Sequence, residues 1–364
     1  MNLAVNPELA RAETLDKAFY LDAALQRVQH ERLFARSWQW LGDLEALQTP
    51  GSVAPRDLLS GCLDEPLLLA RDAGGALHGL SNVCTHRGKR MLDAPMQAQT
   101  QIRCGYHGRR FALDGQMLHA PGFQDALDFP RPCDHLARVP LADWGGHAFT
   151  AVAEPLAPFE AFFGPLQQRL AALPLHSFRH DPASDRDYEF DAHWALYVEN
   201  YLEGLHIPFV HPGLTAALDL GNYRYEQQAW SNLQLALARP GDLAFDPAPG
   251  ASEQGQRVAA YYYWVFPNLM LNFYPWGLSL NQVIPISGSG PARTRVRFRS
   301  YVWKPELRGQ GAGGALDEVE LEDEAAVCEV QRGLRSRFYQ RGRYAPGHEA
   351  LVHQFHRLIA QAMA

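Results

Sequence analysis

Cys84-Thr85-His86-Arg87-Gly88 and Cys104-Gly105-Tyr106-His107-Gly108 form two short turns, with seventeen residues between His86 and Cys104, and their reading decides the character of the N-terminal half. Each turn carries one cysteine and one histidine, so the pair can close a four-donor site. Thiolate and imidazole together suit zinc or an iron–sulfur centre. Structural zinc sites usually have wider arms, pairing cysteine with cysteine and histidine with histidine. A two-iron, two-sulfide cluster held by two histidines on one iron and two cysteines on the other needs this donor set. Structural zinc and chance coincidence are the competing readings. Gly88, Gly105 and Gly108 allow close approach of the backbone.

Around these turns, from about residue 36 to 150, short β-type runs (Leu67–Ala70, Phe111–Leu113, His147–Ala151) alternate with Gly, Pro and Asp turns, which predicts a small all-β unit. A boundary is expected near Val152–Pro158. Residues 1–35 are helical in part, with Leu25, Val28, Leu33 and Phe34 near helical spacing. Beyond the boundary helices mix with strands. Arg295–Val302 alternates as a half-buried antiparallel strand should. Loops rich in Gly and Pro are expected at 239–257 and 304–315.

A second constellation lies in Asp191–His211. The spacing predicts an amphipathic helix capped by Asp191, with Leu196, Asn200, Glu203 and Ile207 on one face. Asn200 and Glu203 interrupt that apolar stripe, and a buried carboxylate is costly unless paired, ligated or protonated. Pro208 should end or kink the helix. A break between His206 and His211 would let two imidazoles converge that a straight helix points apart. Further on, the stripe Leu316, Val319, Val327, Val330, Leu334, Phe338 has Asp323 at a core position. Glu318, Glu320, Glu322 and Glu324 have a solvated explanation, as acids favoured near a helix N-terminus. Two histidines and one carboxylate make the facial triad of non-haem Fe(II) oxygenases. Two histidines five apart are also common by chance.

CTHRGKRM with CGYHGRRFALDG resembles the Rieske motif of the Rieske non-haem iron oxygenases, and NYLEGLHIPFVHP and EDEAAVCEVQRGL resemble that family's mononuclear-iron segments. The resemblance implies an α+β fold: a β-rich Rieske [2Fe–2S] domain at 36–152, and a helix-grip catalytic domain from 1–35 and 153–364, with an antiparallel sheet and a long C-terminal helix. It implies Cys84, His86, Cys104 and His107 as cluster ligands. His206, His211 and Asp323 are the implied iron ligands, with Glu324 the adjacent alternative to Asp323. Glu203 is the implied acid linking this iron to a neighbouring subunit's cluster, with Asn200 beside it among the catalytic residues. Glu at 203, where Asp is commoner, together with VQRGL, resembles the branch of choline and carnitine monooxygenases and betaine demethylases. Gly105 stands where Pro is frequent, Arg109 where Trp is frequent, and His193 where that branch often has Asn. The family also implies a homotrimer fed by a separate flavin/iron–sulfur reductase or ferredoxin, so that NAD(P)H acts indirectly while O2 and a small organic substrate meet at the iron. The substrate expected is a quaternary ammonium or N-methyl compound. Ring hydroxylation of an aromatic is the alternative enzyme reading, and an electron carrier or ligand-binding module the non-enzymatic one.

Composition narrows the rest. With 47% hydrophobic residues the chain can bury a large core, which excludes dominant disorder. A net charge of −7 argues against generic nucleic-acid binding. The most apolar stretch, Tyr261–Ile284, is broken by Pro267, Asn268, Asn272 and Pro275, so no membrane span is expected. Five cysteines and no visible export signal suggest a reduced, cytoplasmic protein. The aromatics Tyr261, Tyr262, Tyr263, Trp264, Phe266, Phe273, Tyr274 and Trp276 fill a core or wall a pocket for a cationic ammonium group. Arg87, Lys89, Arg90, Arg103, Arg109 and Arg110 read as a solvated face, or as an attractor of an acidic redox partner.

Overall fold

The computed structural model describes residues 3–211, 223–247, 251–288, 292–313 and 316–364, and its contacts divide the chain into two compact units. One unit is Ala35–Pro155. The other joins Met1–Phe34 to Leu156–Ala364.

The Ala35–Pro155 unit is built of short antiparallel strands: β1 (Gln39–Asp43), β2 (Val53–Leu58), β3 (Glu65–Arg71), β4 (Leu77–Ser81), β5 (Ile102–Arg103), β6 (Arg110–Phe111), β7 (Met117–His119), β8 (Arg138–Val139), β9 (Leu141–Trp144) and β10 (His147–Thr150). They form sheets ordered β2-β3-β4-β8, β1-β10-β9 and β5-β6-β7. Leu67–Ala70 are all buried in β3, as a strand covered on both faces requires. Val53, Leu68, Leu80, Ile102, Phe111 and Met117 share one core with Cys84 and Cys104. Each such side chain, fully buried, stabilises by about 1.5–3 kcal/mol. The two cysteines are thus anchored in this core.

In the second unit the helices are α1 (Ala18–Leu21), α2 (Ala23–Gln29), α3 (Phe159–Arg169), α4 (Trp194–Tyr201), α5 (Ile207–Val210), α6 (Leu316–Gly333) and α7 (Ala350–Met363). The strands are β11 (Arg179–His180), β12 (Arg186–Phe190), β13 (Tyr223–Gln227), β14 (Ser231–Leu237), β15 (Val258–Val265), β16 (Leu269–Tyr274), β17 (Gly277–Pro285) and β18 (Thr294–Val302). They make one antiparallel sheet, β11-β18-β17-β16-β15-β14-β13, with β12 also pairing β18. β16 and β17 are buried along their whole length, while β18 carries alternating arginines that pair with Asp185, Asp187 and Glu189. α4 packs against β17 and α6. Phe355 of α7 meets both Trp194 of α4 and Trp264 of β15, with ring centroids 5.7 and 5.3 Å apart.

Several local expectations are corrected. The cap of α4 is His193, not Asp191: its ring accepts from the Ala195 N–H at 3.3 Å, while Asp191 is exposed. α4 stops at Tyr201, well before Pro208. Pro208 instead sits in the first turn of α5, where a missing N–H costs nothing. α6 ends at Gly333, and Val330 and Phe338 are 50% and 94% exposed, so the buried face after Val327 continues through Gln331 and Leu334. Leu316 and Glu318 lie outside the described side chains. The last helix, α7, was not anticipated, although Leu351, Val352, Phe355, Leu358 and Ile359 recur at helical spacing and are all buried.

His193 yields a pH prediction. It is fully buried, and its Nε2 lies 3.1 Å from Gln29 Oε1, which also accepts from Trp194 Nε1 at 2.7 Å. Burial, with a lesser push from His30, lowers this imidazole to about 3. A base whose folded pKa lies below its unfolded value of 6.5 adds stability that is complete above pH 6.5 and is lost as pH falls toward about 3. The loss is about 1.4 kcal/mol per pH unit inside that window. His193→Asn keeps a capping acceptor without the titration. Urea melts from pH 7 to 4 should therefore fall less steeply for His193→Asn than for the parent; parallel curves would refute this.

Candidate metal centres

In the β unit the two Cys/His turns are built alike. Gly88 N–H donates to the Cys84 carbonyl at 3.0 Å, and Gly108 N–H to the Cys104 carbonyl at 3.1 Å. In return the Cys84 N–H donates to Lys89 O and the Cys104 N–H to Arg109 O, both at 2.9 Å. Gly88 and Gly108 have φ of +67° and +73°, a left-handed conformation that closes each turn and favours glycine. The cysteines are buried beneath, and their thiols are hydrogen-bonding neighbours. The histidines lie at the rim, His86 partly covered and His107 exposed, with their Nδ1 atoms 3.1 Å apart. The donors therefore form a nitrogen pair above a sulfur pair, an arrangement that matches a two-iron cluster better than a single ion. Gly105 has no atom near its missing Cβ, so the absence of Pro there leaves the turn unhindered. Arg109 is the correction to the basic run, being 3% exposed rather than solvated.

In the second unit, residues 202–206 leave α4, and His206 and His211 flank α5 as its two end positions. This break brings the rings to a centroid separation of 5.2 Å. α6 presents Asp323 to both: its Oδ1 lies 2.9 Å from His211 Nε2 and 3.5 Å from His206 Nε2. Among the described residues, these three form the group of acid, thiol and imidazole donors whose atoms lie within 4.8 Å of one another. Glu324 is outside this group; burial pushes its carboxyl up, and its Oε1 has no hydrogen-bond partner.

The back of each ring is also held. Glu203 Oε1 is 2.7 Å from His206 Nδ1, and Glu322 Oε2 is 2.6 Å from His211 Nδ1. Carboxylates on Nδ1 leave each Nε2 to face Asp323, which fixes tautomer and ring direction. Glu203 also accepts from the backbone N–H groups of Leu205 and His206, so it shapes the turn that carries His206. Burial opposes charge on His206, but hydrogen bonds and charge from Asp323 and Glu203 outweigh it and bring the imidazole up to about 9. His211 is raised chiefly by Asp323. Asp323 is lowered because the two imidazoles outweigh its burial.

Glu320 departs from the solvated reading, while Glu322, with 36% of its side chain exposed, has a partner as well. Glu322 supports His211. Glu320 is 4% exposed and accepts from the Tyr197 hydroxyl at 2.5 Å. Burial pushes its carboxyl up to about 8 against that hydrogen bond. No signal in the sequence separates Glu320 and Glu322 from their neighbours, since only tertiary contacts choose which acids of α6 turn inward. Asn200 is half-buried in the last turn of α4.

The aromatic stretch divides between the two faces of the sheet. Tyr261 and Tyr263 lie on the side of Arg169, whose guanidinium pairs with Glu226 and Glu253. On the other side Tyr223 stacks on Tyr262 at 6.1 Å, Tyr262 meets Tyr274 at 5.8 Å, and Tyr274 stacks on Trp276 at 5.4 Å. This wall reaches the metal turn through Tyr225, whose hydroxyl lies 3.2 Å from where a Cβ on Gly204 would stand, and through Tyr201, whose hydroxyl donates to Asn272 at 2.7 Å.

A cysteine–histidine cluster domain and a two-histidine, one-carboxylate site in one chain are the parts of an iron-dependent oxygenase. Residues 37–138 match the Rieske [2Fe–2S] domain family, and residues 179–364 match the catalytic domain of ring-hydroxylating α subunits. The chain is 30% identical to chloroplastic choline monooxygenase of Arabidopsis thaliana, over 96% of its own length and 83% of that protein. It is 27% identical to the carnitine monooxygenase oxygenase subunit of Escherichia coli K12, covering 99% and 96%. Its fold resembles a crystal structure of a quaternary ammonium Rieske monooxygenase (TM-score 0.77, 23% identity, 99% and 100% covered). It also resembles naphthalene 1,2-dioxygenase from Rhodococcus sp. (TM-score 0.69, 19% identity, 96% and 94% covered). The chain belongs to the Rieske non-haem iron oxygenases, as an α subunit with a Rieske domain and a mononuclear-iron catalytic domain. It is therefore an oxidoreductase that works with a separate reductase on a small substrate. None of its cysteines is in a disulfide, and no described helix is long and apolar enough to cross a membrane.

Proposed function

We propose that this chain is the oxygenase component of a system that hydroxylates or N-demethylates a quaternary ammonium or N-methyl compound. The observation that carries the catalytic part is the convergence of His206, His211 and Asp323 within 4.8 Å. In this reading those three hold the mononuclear iron, and Cys84, Cys104, His86 and His107 hold the Rieske cluster. When bound, the two groups supply one-electron transfer and O2 activation.

The protein's own residues do the positioning. Glu203 and Glu322 fix the two imidazoles from behind. Glu320 stands one turn before Asp323, buried against the Tyr197 hydroxyl, and burial pushes its carboxyl up. Asp323 would supply anionic carboxylate oxygen beside the two imidazoles. Asn200 lines the end of α4 beside Glu203 in this account. Tyr223, Tyr262, Tyr274 and Trp276 pack as one aromatic cluster whose Trp276 ring already faces the Arg308 cation at 5.6 Å, and aromatic faces attract a cation lacking hydrogen-bond donors. The full-length likeness to choline and carnitine monooxygenases supports the same substrate class. The reading also includes a homotrimer, Glu203 acting across its interface, and a cytoplasmic location.

The test is reductase-dependent oxygen uptake with the purified chain. Carnitine, choline and betaines should stimulate uptake coupled to product, and naphthalene or benzoate should not. Coupled uptake with the aromatics alone would overturn the substrate class in favour of ring hydroxylation.

A further inference from the structure

Arg109 is buried in the Rieske unit beside the cluster turns, and nothing in the assigned ligand set requires a cation there. Its Nη1 donates to Thr85 Oγ1 at 3.0 Å, and Thr85 lies between Cys84 and His86. Thr85 in turn donates to the Asp134 carbonyl at 2.8 Å. The guanidinium lies over the ring of Phe123 at 4.4 Å and near that of Phe129 at 5.3 Å, and Phe123 meets His86 edge to face at 5.3 Å. The side chain therefore comes from the second cluster turn and grips the first.

Its charge is only partly answered. The nearest carboxylate oxygen, on Asp134, is 3.9 Å away, beyond hydrogen-bond reach, and Arg109 Nε has no partner. Asp134 is meanwhile held by the Arg131 backbone N–H at 2.9 Å. Burying an incompletely paired cation is expensive and would be selected against if it served packing alone. In so poorly solvated a place its field is weakly screened. A Rieske cluster gains one negative charge on reduction, so a fixed cation favours the reduced form.

We propose that Arg109 is a redox-tuning and positioning residue that raises the reduction potential of the Rieske cluster and ties its two ligand turns together. The proposal rests on the cluster assignment above. Asp134 is its counterweight, offsetting part of the same charge.

The test is a redox titration of the purified, cluster-loaded protein followed by visible circular dichroism and electron paramagnetic resonance. Arg109→Gln should lower the equilibrium constant for one-electron uptake about tenfold, equivalent to about 59 mV. Arg109→Lys should stay within about twofold of the parent, because it keeps the charge. Asp134→Asn, which retains an acceptor for Arg131, should move the potential the opposite way, and this variant decides the matter if Arg109→Gln cannot hold its cluster. An intact Rieske spectrum with an unchanged potential in Arg109→Gln, or an unchanged or lowered potential in Asp134→Asn, overturns the proposal alone. Parent protein without any Rieske spectrum would refute the cluster assignment and the proposal with it.

Discussion

Asp323→Ala should purify with a normal Rieske spectrum and without its mononuclear iron, and its turnover should fall by well over a hundredfold. Outer partners of metal ligands are each worth about 10–100-fold, so removing a ligand costs at least that much. The structure makes the effect specific. Asp323 is the acid facing both Nε2 atoms, whereas Glu324 is outside that group of donors. Glu324→Gln is therefore the matched control and should keep the iron. Iron analysis of the two variants side by side separates the assignments; iron retained in Asp323→Ala and lost in Glu324→Gln would reverse them.

Glu203→Gln should retain both metals yet lose about 10–100-fold in turnover, the scale of an outer carboxylate on a ligand histidine. An amide oxygen can still accept from the Leu205 and His206 N–H groups, so the turn survives, but the negative charge behind His206 Nδ1 is gone. Glu203→Ala removes the cap as well and should add a loss of stability of about 1 kcal/mol. Reduction of the cluster by its reductase should be unaffected in Glu203→Gln, while reoxidation under O2 and substrate slows. Stopped-flow absorbance at the Rieske band measures both phases. Unchanged reoxidation would mean that Glu203 serves the turn alone.

What the sequence disclosed follows from where the information lies. The two Cys/His turns were legible because their cysteines, histidines and glycines are neighbours in the chain, and the closing hydrogen bonds run between residues four and five apart. Asp323 was legible as an acid out of place among apolar positions, even though Val330 and Phe338 of that stripe proved exposed. Pro208 misled because the same residue breaks a helix interior and starts a new helix comfortably; the chain does the second. The convergence of the histidines was expected, but its cause is the earlier stop at Tyr201 and the Glu203-capped turn. Glu320 and Arg109 were misread as solvent-facing, and the His211 contact of the partly exposed Glu322 went unseen, for one reason. Which side of a helix or turn faces inward is set by partners distant in sequence, here Tyr197, His211 and Phe123.

Iron and acid-labile sulfide, measured on the same anaerobically reconstituted sample, test the central claim most directly. A Rieske cluster plus one mononuclear iron predicts about three irons to two sulfides per chain. Zinc in their place, iron without sulfide, or an iron-to-sulfide ratio of about one would contradict the account.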